Sequence, residues 1–228
     1  MSRADEIAGN AAAVEQRIAA ACDRAGRART DVQLVAVTKT FPAADVSAAI
    51  AAGMTDVGEN RVQEARDKQP LVTGSAGGGS ARWHLIGHLQ SNKAKDAVRL
   101  FDVIQTVDSL DLGQKLARAA EAAGKRPEIL IEVNVGGEPQ KAGVEPADVP
   151  TLAAALRALP ALHLTGLMTI PPHGEAEAMR PHFRELRRLR DQLGLEQLSM
   201  GMTDDFDVAI EEGATIIRVG RAIFGSRG

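Results

Sequence analysis

Two hydrophobic periods alternate along most of this chain, and that alternation limits its fold more than any other feature. Short apolar segments lie near 33–38, 55–58, 82–87, 101–107, 128–135, 162–168, 197–200 and 214–219. Helical patterns such as Ala43–Ala52, Leu110–Ala123 and Glu175–Leu193 fill the spaces between them. Several of the short segments are nearly all apolar, as in Ile129-Leu130-Ile131-Glu132-Val133 and Thr215-Ile216-Ile217-Arg218-Val219. Continuous apolar strands separated by helices require a parallel sheet covered on both faces. Eight such units predict an α/β fold, a single-domain (β/α)8 TIM barrel over residues 1–228. The first 26 residues add an amphipathic helix, with Ile7, Ala11, Val14, Ile18 and Ala21 on one face and Gly26 as its stop. An open doubly wound sheet is the alternative. The glycine fingerprint it needs after the first strand is replaced here by Lys39-Thr40-Phe41-Pro42.

Composition removes several classes of function. A net charge of −3 argues against nucleic acid as a partner, which requires an excess of basic charge. No apolar run reaches the roughly 18 residues of a membrane span. Arg3, Asp5 and Glu6 precede any apolar run, unlike a secretory leader. The single cysteine, Cys22, lies in an alanine-rich helical stretch and reads as a small buried thiol in a reducing compartment. A cytoplasmic protein is therefore expected, and with no obvious interface stripe, a monomer. The glycine-rich stretch 73–80 lacks the Gly-Lys-Ser/Thr of a phosphate loop and reads as a connector on the face opposite the active site. Arg180, Arg184, Arg187, Arg188 and Arg190 lie off the apolar stripe of the 175–193 helix, so most are expected simply to be solvated.

In such a barrel the chemistry belongs at the C-terminal ends of the strands. Those ends carry Lys39, Gly58-Glu59-Asn60, Gly87-His88-Leu89-Gln90, Asn134, Met168-Thr169, Ser199-Met200-Gly201-Met202-Thr203 and Arg218-Val219-Gly220-Arg221. A lysine desolvated at the mouth of a buried strand gains access to its neutral, nucleophilic form, which suits it to a Schiff base with an aldehyde. Taken alone, the feature is better read as a strand-end cation whose stem packs while its head reaches water. Phosphate sites in these barrels recur after strands seven and eight. Here those loops hold Ser199, Gly201, Gly220 and Arg221. Glycine lets backbone amides approach an oxyanion, and the Ser199 hydroxyl and Arg221 cation would add to the cradle. Tight turns alone are the other account of Gly201 and Gly220. An amine opposite a phosphate cradle implies a phosphate-bearing aldehyde, either pyridoxal 5'-phosphate or the sugar phosphate of a Schiff-base aldolase. Arg218 would project toward the nitrogen of a bound pyridine, or else pair with Asp204 or Asp205.

The motifs also resemble a known family. Val35-Ala36-Val37-Thr38-Lys39-Thr40, Gly58-Glu59-Asn60-Arg61-Val62-Gln63-Glu64 and Trp83-His84-Leu85-Ile86-Gly87-His88-Leu89-Gln90-Ser91-Asn92-Lys93 are followed by Gly166-Leu167-Met168-Thr169-Ile170-Pro171. Leu198-Ser199-Met200-Gly201-Met202-Thr203-Asp204-Asp205 and Arg218-Val219-Gly220-Arg221-Ala222-Ile223-Phe224-Gly225 complete the set. In this order they resemble the pyridoxal phosphate homeostasis family, which is similar to the N-terminal domain of alanine racemase. The resemblance implies an imine on Lys39, phosphate held by Ser199, Gly201, Gly220 and residue 221, Arg218 at the ring nitrogen, and Asn60 near the ring. It gives His84 and Asn134 at most a weak contact. It also matches Lys141 to a lysine near the mouth, either a second amine for transfer or a solvated loop residue, the latter favoured. Two positions depart from the family pattern: Arg221 replaces a threonine and Thr203 a serine.

The related racemases pair the cofactor lysine with a tyrosine from an added β-domain. This chain has no tyrosine and ends at Gly228 after the eighth unit, so neither is expected here. An arginine at the ring nitrogen disfavours a protonated pyridinium and weakens the cofactor as an electron sink. The expectation is a pyridoxal phosphate carrier without strong catalysis, involved in vitamin B6 homeostasis, with cofactor-dependent apo-enzymes as transient partners. A racemase using His84, His88 or His173 as its second base is the alternative, and an aldolase relying on Glu59 is a third reading.

Overall fold

The computed structural model describes residues 2–73 and 81–225. Eight parallel strands close into a barrel in sequence order: β1 (Gln33–Val37), β2 (Asp56–Glu59), β3 (Arg82–Leu85), β4 (Val103–Val107), β5 (Glu128–Glu132), β6 (His163–Met168), β7 (Gln197–Ser199) and β8 (Ile216–Val219). The register runs Val35 opposite Asp56 and opposite Arg218, so β1 joins β2 and β8 and the sheet has no edge. This is the barrel that the alternating pattern predicts, and the doubly wound alternative falls away. Strands β1, β3, β5 and β7 end earlier than their apolar runs. The runs continue into buried loop residues such as Ile86 and Val133, and burial needs no ladder pairing. The expected connector at 73–80 lies, from 74 on, outside the described residues.

The helices α1 (Arg3–Arg24), α2 (Ala43–Ala51), α3 (Val62–Thr73), α4 (Ala94–Leu100), α5 (Leu110–Ala123), α6 (Val149–Arg157), α7 (Arg180–Leu193), α8 (Phe206–Glu211) and α9 (Arg221–Phe224) cover the barrel. Ser2 caps α1 by accepting from the Asp5 amide, and the Ser2 amide donates to the Asp5 carboxylate in return. All five residues of its predicted apolar face are buried. That face packs α1 against α2, α8 and α9, where burying Ile7 and Ile18 contributes about 1.5–3 kcal/mol each. Cys22 is buried there as expected. Helix α7 begins at Arg180 rather than at Glu175, because Pro181 lacks an amide donor and fits only the first turn.

The α7 arginines meet the sequence expectation only in part: Arg184, Arg187 and Arg188 stay exposed, but several are also paired. Arg180 and Arg184 donate to Glu212 at 2.8 and 3.1 Å, and Arg187 lies 3.4 Å from its other oxygen. Glu212 is buried just after α8, so these cations clasp two helices together. Among the described residues, no helix is long and apolar enough to cross a membrane.

Inside the barrel, Val35, Val103, Leu130, Met168 and Ile216 form a cluster apart from the main core. Alternation along each strand therefore places Glu132 and Arg218 on the same inward face, one step nearer the C-terminal mouth.

Candidate cofactor site at the barrel mouth

At that mouth a cavity of about 630 Å³ opens, within the size range of small-molecule sites. Lys39, Asn60, Arg218, Gly220 and Arg221 line it together with Val37, Phe41, Ile86, Ile170, His173, Met202, Thr203 and Asp204. Five of the seven residues singled out from the sequence thus meet at one cavity. Ser199 and Gly201 do not.

Local chemistry explains how Lys39 is held. The turn after it puts Thr40 at φ +69°, a left-handed conformation that β-branched residues rarely adopt. The Thr40 amide donates to Glu64 at 2.8 Å. Lys68 of α3 donates to the Thr38 carbonyl at 2.8 Å and to Glu59 at 2.7 Å, and the Thr38 hydroxyl donates to Glu59 at 2.7 Å. Glu59 alternates with the inward Gly58 and is fully buried on the α3 side, so it braces the Lys39 turn from outside the barrel. The aldolase reading loses its proposed acid–base group.

Arg218 is 4% exposed and donates to the Ser199 hydroxyl at 2.6 Å and to the Thr169 carbonyl at 2.8 Å. Desolvation pulls its guanidinium down to about 10, against the charges of Asp205 and Glu132. Among the described residues it has no carboxylate partner within ion-pair distance. Asp204, one of the partners considered for it, pairs instead with Arg221 at the exposed rim. The Ser199 hydroxyl is likewise not where the cradle requires it. It is completely buried beneath Arg218 and donates to Gln105 at 2.6 Å, because Ser199 lies on the inward face of β7 rather than in the loop after it. Gly201 is needed for packing: φ is +93°, and a Cβ would come within 2.6 Å of the Ala209 Cβ. Gly220 stands against Val37, where a Cβ would come within 3.2 Å of a carbonyl oxygen, and its backbone borders the cavity.

The cradle that remains is made of backbone. The amides of Thr203, Asp204, Arg221 and Ala222 meet no acceptor among the described residues. Thr203 and Met202 were reachable in the sequence as part of the loop after the seventh strand; Ile86, Phe41 and Ile170 carried no signal beyond hydrophobicity. Glu132 was hidden within an apolar strand. It is buried, its Oε2 has no hydrogen-bond partner, and desolvation together with the Asp108 charge raises it to about 7 against the pull of Arg218.

Other candidates take structural roles. Asn134 donates to the Glu138 carbonyl at 3.0 Å within its own loop. Lys141 is partly buried, donating to the Pro171 carbonyl at 3.0 Å and paired with Glu138, which corrects the solvated-loop expectation. His88 sits 3.6 Å from Asp108 outside the cavity, and His84 is fully buried in the barrel. Of the three histidines considered as a second base, His173 lines the mouth.

Residues 10–228 match the family described as alanine racemase, N-terminal domain. A pyridoxal phosphate homeostasis protein of Pseudomonas aeruginosa is 45% identical, over 97% of this chain and 96% of its own. The chain belongs to the pyridoxal phosphate homeostasis family. PipY of Synechococcus elongatus, solved with pyridoxal phosphate bound, is 39% identical at a TM-score of 0.83, covering 96% of this chain and all of its own. The alanine racemase of Clostridium difficile shares the fold alone, at 14% identity and a TM-score of 0.73, with 98% of this chain matching 57% of that one.

Proposed function

We propose that the mouth cavity binds pyridoxal 5'-phosphate and that this chain holds the cofactor for intracellular vitamin B6 homeostasis, without strong catalysis of its own. The observation that carries this reading is the meeting of Lys39, Arg218 and a cradle of free amides in one cavity. The donor set fits the group: an amine for the aldehyde, amides and the Arg221 cation for the phosphate, and Val37, Ile86 and Ile170 as apolar walls for the ring. When bound, the cofactor supplies an aldehyde and an electron-accepting ring.

Lys39 attaches the cofactor as a Schiff base, its amine adding to the aldehyde carbon with loss of one water; water or another amine reverses the bond. Arg218 offers only donors, so it faces an unprotonated ring nitrogen and limits electron withdrawal. Asn60 flanks the ring. Gly201 and Gly220 shape the phosphate loops, and Ser199 acts through Arg218. The working location is the cytoplasm, the working form a monomer, and cofactor-dependent apo-enzymes are its transient partners.

The purified protein is expected to show the visible band of a protonated imine, and Lys39→Ala to lose it. A colourless wild type that cannot be loaded with pyridoxal 5'-phosphate overturns the proposal. Because His173 lines the mouth, a racemase is the second reading. Incubation with L-alanine decides between them, and D-alanine formed well above the rate with free cofactor would favour the enzyme.

A further inference from the structure

The barrel interior holds a line of polar side chains that begins at Arg218 and Ser199 and runs on past the part that cofactor binding as proposed uses. Barrels of this kind are normally filled by branched apolar residues. Here Arg218 on β8 donates to Ser199 on β7 at 2.6 Å, and Ser199 donates to Gln105 on β4 at 2.6 Å. Strands β4 and β7 are not neighbours, so the second bond crosses the lumen. The Gln105 amide meets His84 Nδ1 on β3 at 2.9 Å, and His84 Nε2 meets Asp56 on β2 at 2.9 Å. Asp56 opens its strand at the opposite end of the barrel. It is anchored there by Gln33 at 2.6 Å and Thr55 at 2.7 Å. All five members of the line are at most 5% exposed.

The donors and acceptors assign a direction. Arginine can only donate, so the Ser199 oxygen accepts from it and turns its own hydrogen to the Gln105 carbonyl. The opposite amide orientation would leave that buried hydrogen without an acceptor. The Gln105 NH2 group must then face His84 Nδ1, which has to accept, and the ring proton sits on Nε2 and is donated to Asp56. Every bond points from the guanidinium to the carboxylate, with a cation at one end and an anion at the other.

We propose that Asp56, His84, Gln105 and Ser199 are positioning residues, a one-directional hydrogen-bond chain through the barrel that sets the orientation of Arg218 at the mouth. The proposal rests on reading the mouth as the pyridoxal phosphate site. Ser199 and Thr169 together use one N–H from each terminal nitrogen of Arg218, which fixes the guanidinium plane and leaves its remaining N–H groups for a ligand. Breaking the chain at any link frees that plane to turn.

The test measures the dissociation constant for pyridoxal 5'-phosphate alongside the melting temperature. Gln105→Leu and Ser199→Ala are expected to weaken binding roughly tenfold, the scale of one lost hydrogen bond. Ser199→Thr, which keeps the hydroxyl, restores most of it. Asp56→Leu at the far end weakens binding too, and more than Asp56→Asn, whose oxygen still accepts from His84. A chain with a purely structural role would lower the melting temperature and leave the dissociation constant in place, which overturns the proposal. Imidazole nitrogen NMR of the cofactor-free protein gives a second readout: His84 carries its proton on Nε2, and Gln105→Leu erodes that preference. A proton on Nδ1 in the wild type also overturns it. Failure of the wild type to load the cofactor would instead sink the binding reading, and the NMR result would still decide the chain.

Discussion

Glu132 shows how one side chain can record its surroundings. It follows Leu130 on the inward face of β5, where water is scarce and one carboxylate oxygen has no partner. Burial favours the protonated form and raises the group from 4.5 to about 7. The folded state therefore holds this proton more tightly than the unfolded chain does. Stability from this residue is intact below pH 4.5 and is lost as pH rises toward 7. Glu132→Gln should thus be more stable than wild type at pH 8, by up to about 3 kcal/mol, with the difference vanishing near pH 4. Urea denaturation at both pH values checks this, and equal gains at both would mean that ionisation is not the cause. The residue escaped notice in the sequence because Ile129-Leu130-Ile131-Glu132-Val133 reads as a strand whichever way Glu132 faces.

At the scale of elements, buried charges serve as joints. Glu212 draws Arg180, Arg184 and Arg187 of α7 onto the end of α8. Those hydrogen bonds, more than desolvation opposes, hold its carboxyl below the usual range. Its side chain is 5% exposed, whereas Arg184 and Arg187 are 59% and 40% exposed, so these two are easily re-solvated. Glu212→Ala is expected to cost about 1–3 kcal/mol in chemical denaturation while cofactor loading stays normal. A loss below half a kcal/mol would show the clasp to be ornamental, as many surface pairs are. Helical spacing placed these arginines off the apolar stripe correctly. It carried no information about a glutamate outside the helix, so the expected solvation holds for Arg188 while the pairing of Arg180, Arg184 and Arg187 was not foreseen.

Across the whole molecule, the cofactor reading and the closed sheet make one thermodynamic prediction. A ligand that binds only the folded barrel stabilises it by mass action, roughly 2.7 kcal/mol at a hundredfold excess over its dissociation constant. Melting curves with pyridoxal 5'-phosphate should therefore shift upward in wild type and much less in Lys39→Ala. A shift of equal size in both would mean that Lys39 contributes little to holding the ligand.

The order and kind of the elements were legible in the sequence because hydrophobic period is a local property. Eight apolar runs separated by amphipathic helices leave a closed parallel barrel as the economical way to bury both. Lys39, Asn60, Arg218, Gly220 and Arg221 were legible for the same reason, since their place at strand ends follows from chain order. Direction inside the barrel was not. Whether Ser199 faces the phosphate loop or the lumen, and whether Glu59 faces the ligand or Lys68, depends on side-chain phase at a strand end. One residue of shift reverses that phase. Only the closed sheet, by bringing β4 opposite β7, decided which polar groups meet and that the Glu132 Oε2 finds no partner among the described residues.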